Sequence, residues 1–241
     1  MFARHDLVWL GAEGWRQALA GAPAEAQAAL AAWQQAGWPA VVRRADADLA
    51  PGEVAIGIPL PPRAGDGRKL RVACRVAAAV LVRHQRPLPL AQAAAQFEAQ
   101  STVQFSAQFQ EMLPGWRYAL SELAQQAGAR MLDVRVYGSA ALQVLTGQRY
   151  LTASSDIDLL LHPRSRAELE EGLALLRTYA ARLPLDGEIV LPGGRAVPWK
   201  EWAAALDGAA GTRVLVKEMT RVSLAMPDAL LASLEDDLCL T

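Results

Sequence analysis

The chain has 241 residues, 52% of them hydrophobic and 20% charged, enough apolar surface for one large core or two smaller ones. A net charge of −1 excludes a global field drawing it to nucleic acid or an anionic membrane, so any hold on a polyanion must come from a local patch. Cys74 and Cys239 are far apart and lack metal-type spacing, which argues against a disulfide framework or a zinc cluster and suits a reducing cytoplasm.

The start, Met1-Phe2-Ala3-Arg4-His5-Asp6, meets polar residues before an apolar run can build, so no signal peptide is expected. The run Val76 to Val82 is too short to span a bilayer before Arg83 interrupts it. The expectation is a soluble, cytoplasmic protein with neither membrane nor nucleic acid as partner.

In chain order, Asp6 to Leu10 reads as a short strand, and Ala24 to Gln35 as an alanine-rich helix with Pro23 before it and Gly37 beyond its end. Ala40 to Arg44 and Glu53 to Ile58 read as strands bounded by Gly and Pro. Lys69 to Ala79 alternates basic and apolar residues, then turns into a helix-like alanine and valine run broken by Pro87 and Pro89. Leu90 to Gln100 and Gln104 to Leu113 read as short helices, with Pro114-Gly115 separating them from a helix over Trp116 to Ala127.

Leu132 to Tyr137 is a predicted strand running into Gly138-Ser139, where Ala140 to Leu145 opens a helix. Asp156 to Leu161 is a second strand, and Leu169, Leu173, Leu175 and Leu176 give Arg166 to Ala181 helical periodicity. Asp186 to Leu191 and Arg213 to Lys217 complete the strands, with Pro192-Gly193-Gly194 as a hairpin turn. The pattern predicts an α+β protein with a soft boundary between Pro114 and Gly128. Residues 1–120 would form an N-terminal α+β domain that binds substrate or carrier protein, and 121–241 a catalytic mixed sheet flanked by helices.

Chemistry enters at Asp156-Ile157-Asp158. Strand residues two apart point the same way, so both carboxylates would share a face while Ile157 enters the core. Like charges held that close repel, and a divalent cation such as Mg²⁺ or Mn²⁺ would neutralise them and bridge to phosphate oxygens. A lone Asp-x-Asp is more often a solvated pair, but here Leu159-Leu160-Leu161 follows at once.

Gly138-Ser139, between strand and helix, offers free backbone N–H groups and a hydroxyl to a terminal phosphate, or else is an ordinary capped turn. Asp186 and Glu188 are again two apart. Either could complete a metal site or act as base, Glu188 being nearer the apolar run, while Asp186-Gly187 could instead be a turn. Lys217 shares a strand face with Arg213 and is a candidate for phosphate contact or charge balance.

Arg63, Arg68, Lys69, Arg71, Arg75, Arg83 and Arg86, with Asp66 the only acid among them, would bind a triphosphate or an acidic carrier if they converge, and otherwise form a solvated face. The histidines His5, His84 and His162 do not cluster. Trp199 is a candidate to stack on adenine against a default of packing, and Lys200-Glu201 reads as a solvated helix start.

Strand–Gly-Ser–helix, Asp-x-Asp on a strand and an acid on a third strand together resemble the DNA polymerase β-like nucleotidyltransferase superfamily. The stretch Thr146 to Ser155 makes the interval to Asp156 longer than in many members. A nearer resemblance rests on His5-Asp6-Leu7-Val8-Trp9, Val136-Tyr137-Gly138-Ser139, Ser155 to Leu160, Leu185 to Ile189 and Ala196 to Glu201. Over nearly its whole length the chain is similar to the malonate decarboxylase holo-acyl-carrier-protein synthase family, the phosphoribosyl-dephospho-CoA transferases.

That resemblance implies transfer of a prosthetic group from triphosphoribosyl-dephospho-CoA to a serine of the malonate decarboxylase acyl-carrier-protein subunit, with release of pyrophosphate. The family's paired aspartates carry over to Asp156 and Asp158 and its Gly-Ser turn to Gly138 and Ser139. The alternatives are a nucleotidyltransferase that uses ordinary NTP on a small molecule or nucleic acid, and a non-catalytic binding module.

Overall fold

The computed structural model describes residues 2–62, 69–99, 107–208 and 211–236. Arg63, Asp66 and Arg68 of the basic stretch, together with Gln100, Gln104 and Cys239, lie outside the described residues. The chain divides into two compact units, Met1–Pro87 and Leu88–Thr241.

The first unit is a five-stranded sheet with two helices. In chain order it comprises β1 (Leu7–Leu10), α1 (Ala12–Ala20), α2 (Ala24–Gln35), β2 (Ala40–Val42), β3 (Glu53–Pro59), β4 (Arg71–Ala77) and β5 (Leu81–Gln85). The strand order is β4-β3-β2-β1-β5, with every neighbour antiparallel. Trp15 and Ala18 of α1 and Leu30 and Trp33 of α2 are buried with Val8, Ile56 and Ile58. The helix-like run expected toward Ala79 is strand as far as Ala77, followed by a single 3₁₀ turn over Ala78–Val80. Val72 and Val76 alternate with exposed Arg71 and Arg75, the period of a sheet with one solvated face, and β4 pairs with β3 along its whole length. The sequence reading missed both α1 and β5.

The second unit contains β6 (Leu88–Pro89), α3 (Leu90–Ala99), α4 (Ala107–Ala129), β7 (Asp133–Tyr137), α5 (Gly138–Thr146), β8 (Ile157–His162) and α6 (Arg166–Ala180). It continues with β9 (Leu185–Leu191), β10 (Arg195–Pro198), α7 (Trp199–Asp207), β11 (Val214–Lys217), β12 (Val222–Ala225) and α8 (Pro227–Asp236). The sheet order is β12-β11-β10-β9-β8-β7-β6; β8 and β9 run parallel and the other neighbours antiparallel, a mixed sheet in an α+β protein.

Two expectations change here. Pro114 lies inside α4 and does not break it. An internal proline costs a helix about 3 kcal/mol, but Leu113 and Trp116 on either side, with Leu120 and Leu123 beyond, are all buried in one cluster that holds the helix together. The same packing moves the boundary. Leu90, Phe97 and Trp116 share their core with Val134 and Leu159, so α3 and α4 belong to the second unit and the chain divides after Pro87, not near residue 120.

Val134, Val136, Ile157, Leu159, Leu161, Ile189, Val197 and Val216 fill this core from one sheet face. The register puts Tyr137, Asp158, Asp186, Glu188 and Lys217 on the opposite face. No helix among the described residues is long and apolar enough to cross a membrane.

Candidate active site

Asp158 is the second residue of β8. It is half-buried and paired across the sheet with Tyr137 on one side and Asp186 on the other. Asp156 is exposed and precedes the first residue of the strand, so sheet pairing fixes only the second of the two acids. Its approach is held by short local bonds. Ser155 Oγ accepts from the Thr152 N–H at 3.0 Å, and the Ile157 N–H donates to Pro184 O at 2.8 Å.

Gly138 begins α5 with a φ of +66°, in the left-handed region that glycine enters at little cost. A Cβ built there would lie 2.1 Å from Asp158 Oδ2, so the missing side chain is the space the carboxylate occupies. Ser139 follows, half-buried, in the first turn of α5, whose N-cap residue Tyr137 makes no side-chain cap bond. The Gly-Ser turn and the second aspartate, distant in sequence, are thus brought into contact.

The third-strand acids have different surroundings. Asp186 and Glu188 both lie within β9, so the reading of Asp186-Gly187 as a turn is set aside. Gly187 is there because β9 runs tight against β8: with a φ of +130°, its Cβ would fall 1.9 Å from Leu159 O. The Asp186 side chain is 46% exposed, with Lys200 Nζ 3.6 Å from its Oδ1. The Glu188 side chain is only 4% exposed and takes Lys217 Nζ at 2.9 Å. Lys217 therefore balances a buried acid.

Other expected contributors fall elsewhere. Trp199 is buried in the core and offers no surface for stacking. In the first unit, Arg75 bonds Asp46 and Asp48, and Arg83 lies over the Trp9 ring at 4.1 Å, so those cations are engaged locally. His84 Nε2 meets buried Asp6 Oδ2 at 2.6 Å.

Two contributors were missed by sequence reasoning. Fully buried Gln143 uses Oε1 to accept the N–H groups of Tyr150 and Leu151, tying down the long interval before Asp156. Its only signal was an amide among the apolar residues of a helix. Lys200 was read only as part of a solvated helix start, because its partner is fixed by how β10 and α7 follow β9.

Among the described residues no three His, Cys, Asp or Glu side chains are grouped so as to hold a metal by themselves. Mg²⁺ commonly takes one or two carboxylates and completes its shell with substrate phosphates and water. The hard oxygens of Asp156 and Asp158, with the Asp158 carboxylate seated against Gly138, fit that donor chemistry.

The chain matches two family models: the phosphoribosyl-dephospho-CoA transferase MdcG N-terminal domain over residues 3–87 and its C-terminal domain over 103–228. Among curated relatives, a phosphoribosyl-dephospho-CoA transferase of Xanthomonas campestris pv. campestris is 37% identical over 84% of this chain and 86% of its own. One of Bradyrhizobium diazoefficiens is 37% identical over 92% of this chain and 88% of its own, and one of Pseudomonas aeruginosa 34% identical over 75% and 77%. No solved structure matches the chain. Relatives named as transferases over this much of the chain remove the non-catalytic binding module as a reading.

Proposed function

The chain belongs to the phosphoribosyl-dephospho-CoA transferase family, and on that footing we propose that it loads the acyl-carrier-protein subunit of malonate decarboxylase in the cytoplasm. The donor is triphosphoribosyl-dephospho-CoA and the acceptor a serine hydroxyl of the carrier. A new phosphorus–oxygen bond forms to the serine oxygen, and the bond to the outer two phosphates breaks. Its electron pair leaves with pyrophosphate, and the hydroxyl proton passes to water.

The observation that carries this reading is the seating of the Asp158 carboxylate in the space left by Gly138. It supports the reading by bringing a carboxylate oxygen of the kind Mg²⁺ prefers beside the first turn of α5, a helix start suited to phosphate oxygens. Asp156 and Asp158 would hold Mg²⁺ or Mn²⁺, which when bound offsets charge on the triphosphate. Phosphoryl-type transfer through a loose transition state depends mainly on positioning and charge, so no nucleophile from this chain is required.

Asp186 stands beside Asp158 and opens to solvent, so of the two third-strand acids it is the one that can act at the site; Glu188 is paired with Lys217.

The test is the mass of apo carrier protein after incubation with precursor and Mg²⁺. Wild type should add the prosthetic group, and Asp158→Asn should lose at least about a hundredfold in rate, the scale for removing a key electrostatic group. Wild-type rates in both Asp156→Ala and Asp158→Asn would end the proposal.

A further inference from the structure

Along the face that carries Asp158 lie two acid–lysine pairs of opposite character. Glu188 and Lys217 meet at 2.9 Å with the acid almost wholly buried. Asp186 and Lys200 stand 3.6 Å apart with side chains 46% and 55% exposed. The first is turned inward, its acid almost wholly buried. The second is too long for a tight hydrogen bond and opens to solvent.

Chain geometry explains where the open pair sits. Pro198 ends β10 opposite Glu188, and the next residues along β10's direction advance toward the level of Asp186. α7 starts there at Trp199, and Lys200 reaches back from its first turn to the acid. Trp199 is fixed in the core, with Lys200 Nζ 5.9 Å from its ring, so the lysine stem rises from an anchored base. Asp186 is the direct neighbour of Asp158 on the parallel strand. The ammonium is therefore one strand away from the proposed metal-binding acid, and its remaining N–H donors are accessible.

We propose that Lys200 is a substrate-binding residue, donating to the two outer phosphates of the donor and holding the pyrophosphate they become, while Asp186 positions it. The assignment rests on the proposed transfer reaction and deepens it. Two neighbouring carboxylates alone would repel a polyphosphate; a cation at their edge offsets part of that charge and gives the leaving group a donor where it collects. A lysine suits that role, since its compact charge can follow the phosphate chain as the bond breaks.

Inorganic pyrophosphate in Mg²⁺ is the probe, titrated calorimetrically into wild type, Lys200→Ala and Lys200→Arg. The expected result is binding about tenfold weaker in Lys200→Ala and within about threefold of wild type in Lys200→Arg, the scale of one charge-assisted contact. All three proteins should unfold at the same temperature.

Equal affinities in wild type and Lys200→Ala overturn the inference, as does a wild type that does not bind pyrophosphate. A weaker Lys200→Ala that also melts early and is not rescued by arginine assigns Lys200 a structural role, and overturns it too. Transfer to the carrier by wild type is scored separately: its absence, with lysine-dependent pyrophosphate binding intact, counts against the transfer reaction alone.

Discussion

Gly138 and Asp158 occupy one another's space: the Cβ that any other residue would place at Gly138 would lie 2.1 Å from Asp158 Oδ2. The atom in the way is the far end of a side chain, which can swing aside, so Gly138→Ala should displace the carboxylate and spare the fold. The positive φ adds about 1 kcal/mol of strain. The expected outcome is a fall of at least about tenfold in transfer rate, with only a few degrees lost in thermal midpoint. Retained activity would show that the position of Asp158 does not matter for turnover.

Gly187→Ala presents the same chemistry with the opposite consequence. Its Cβ would meet Leu159 O at 1.9 Å and Leu159 N at 2.6 Å, both backbone atoms inside the paired β8–β9 ladder. Neither can move without parting the strands. The variant should lose more than about 3 kcal/mol, at the severe end for a single substitution, measured by urea unfolding or seen as failure to accumulate folded protein. Near-wild-type stability would mean that β9 does not pack as closely as described.

These two glycines show what the sequence could and could not disclose. The glycine before Ser139 and the strand that carries Asp158 were legible because strand period and turn chemistry are local rules, whereas Asp156 falls just before the strand it was expected to open. Gly187 was open to a turn reading, because only the tertiary approach of Leu159 reveals why glycine is needed in mid-strand. Pro114 misled for a related reason: local propensity says break, while the burial of Leu113 and Trp116 says continue. Asp186 and Glu188 could not be told apart in the sequence, since what separates them is which lysine each meets.

The pair of Glu188 and Lys217 gives a stability prediction that separates a structural acid from a catalytic one. Removing the lysine strands a nearly buried carboxylate, so Lys217→Met should cost about 1–3 kcal/mol, less than for a fully buried pair because Lys217 is one-third exposed. Glu188→Gln should cost less, and the double substitution Glu188→Gln with Lys217→Met should recover most of the loss, as coupled neighbours do. Urea midpoints of the four proteins check this. Additive losses would show that the two side chains do not depend on each other, and would reopen Glu188 as a free site carboxylate.

The first unit carries a pH prediction whose sign follows from Asp46. The Arg43 guanidinium grips both its oxygens, at 2.6 and 2.7 Å, and Arg75 adds a third bond at 2.8 Å. Hydrogen bonds from Arg43 first and Arg75 second hold the carboxyl well below the usual carboxylate range, against a smaller opposing effect of desolvation. A group whose folded pKa is depressed contributes stability that is fully present above its unfolded pKa, about 3.9, and is lost as pH falls through the folded value. Asp46→Asn should therefore unfold slightly earlier than wild type at neutral pH, by about 1–2 °C, since exposed ion pairs contribute little. That gap should hold down to about pH 5 and close progressively below about pH 4, as wild-type Asp46 takes up its proton. Thermal unfolding of both proteins across that range, at low salt to limit screening, reads the gap directly. A gap that stays constant to the acid limit would show that the two arginines do not hold Asp46 ionised.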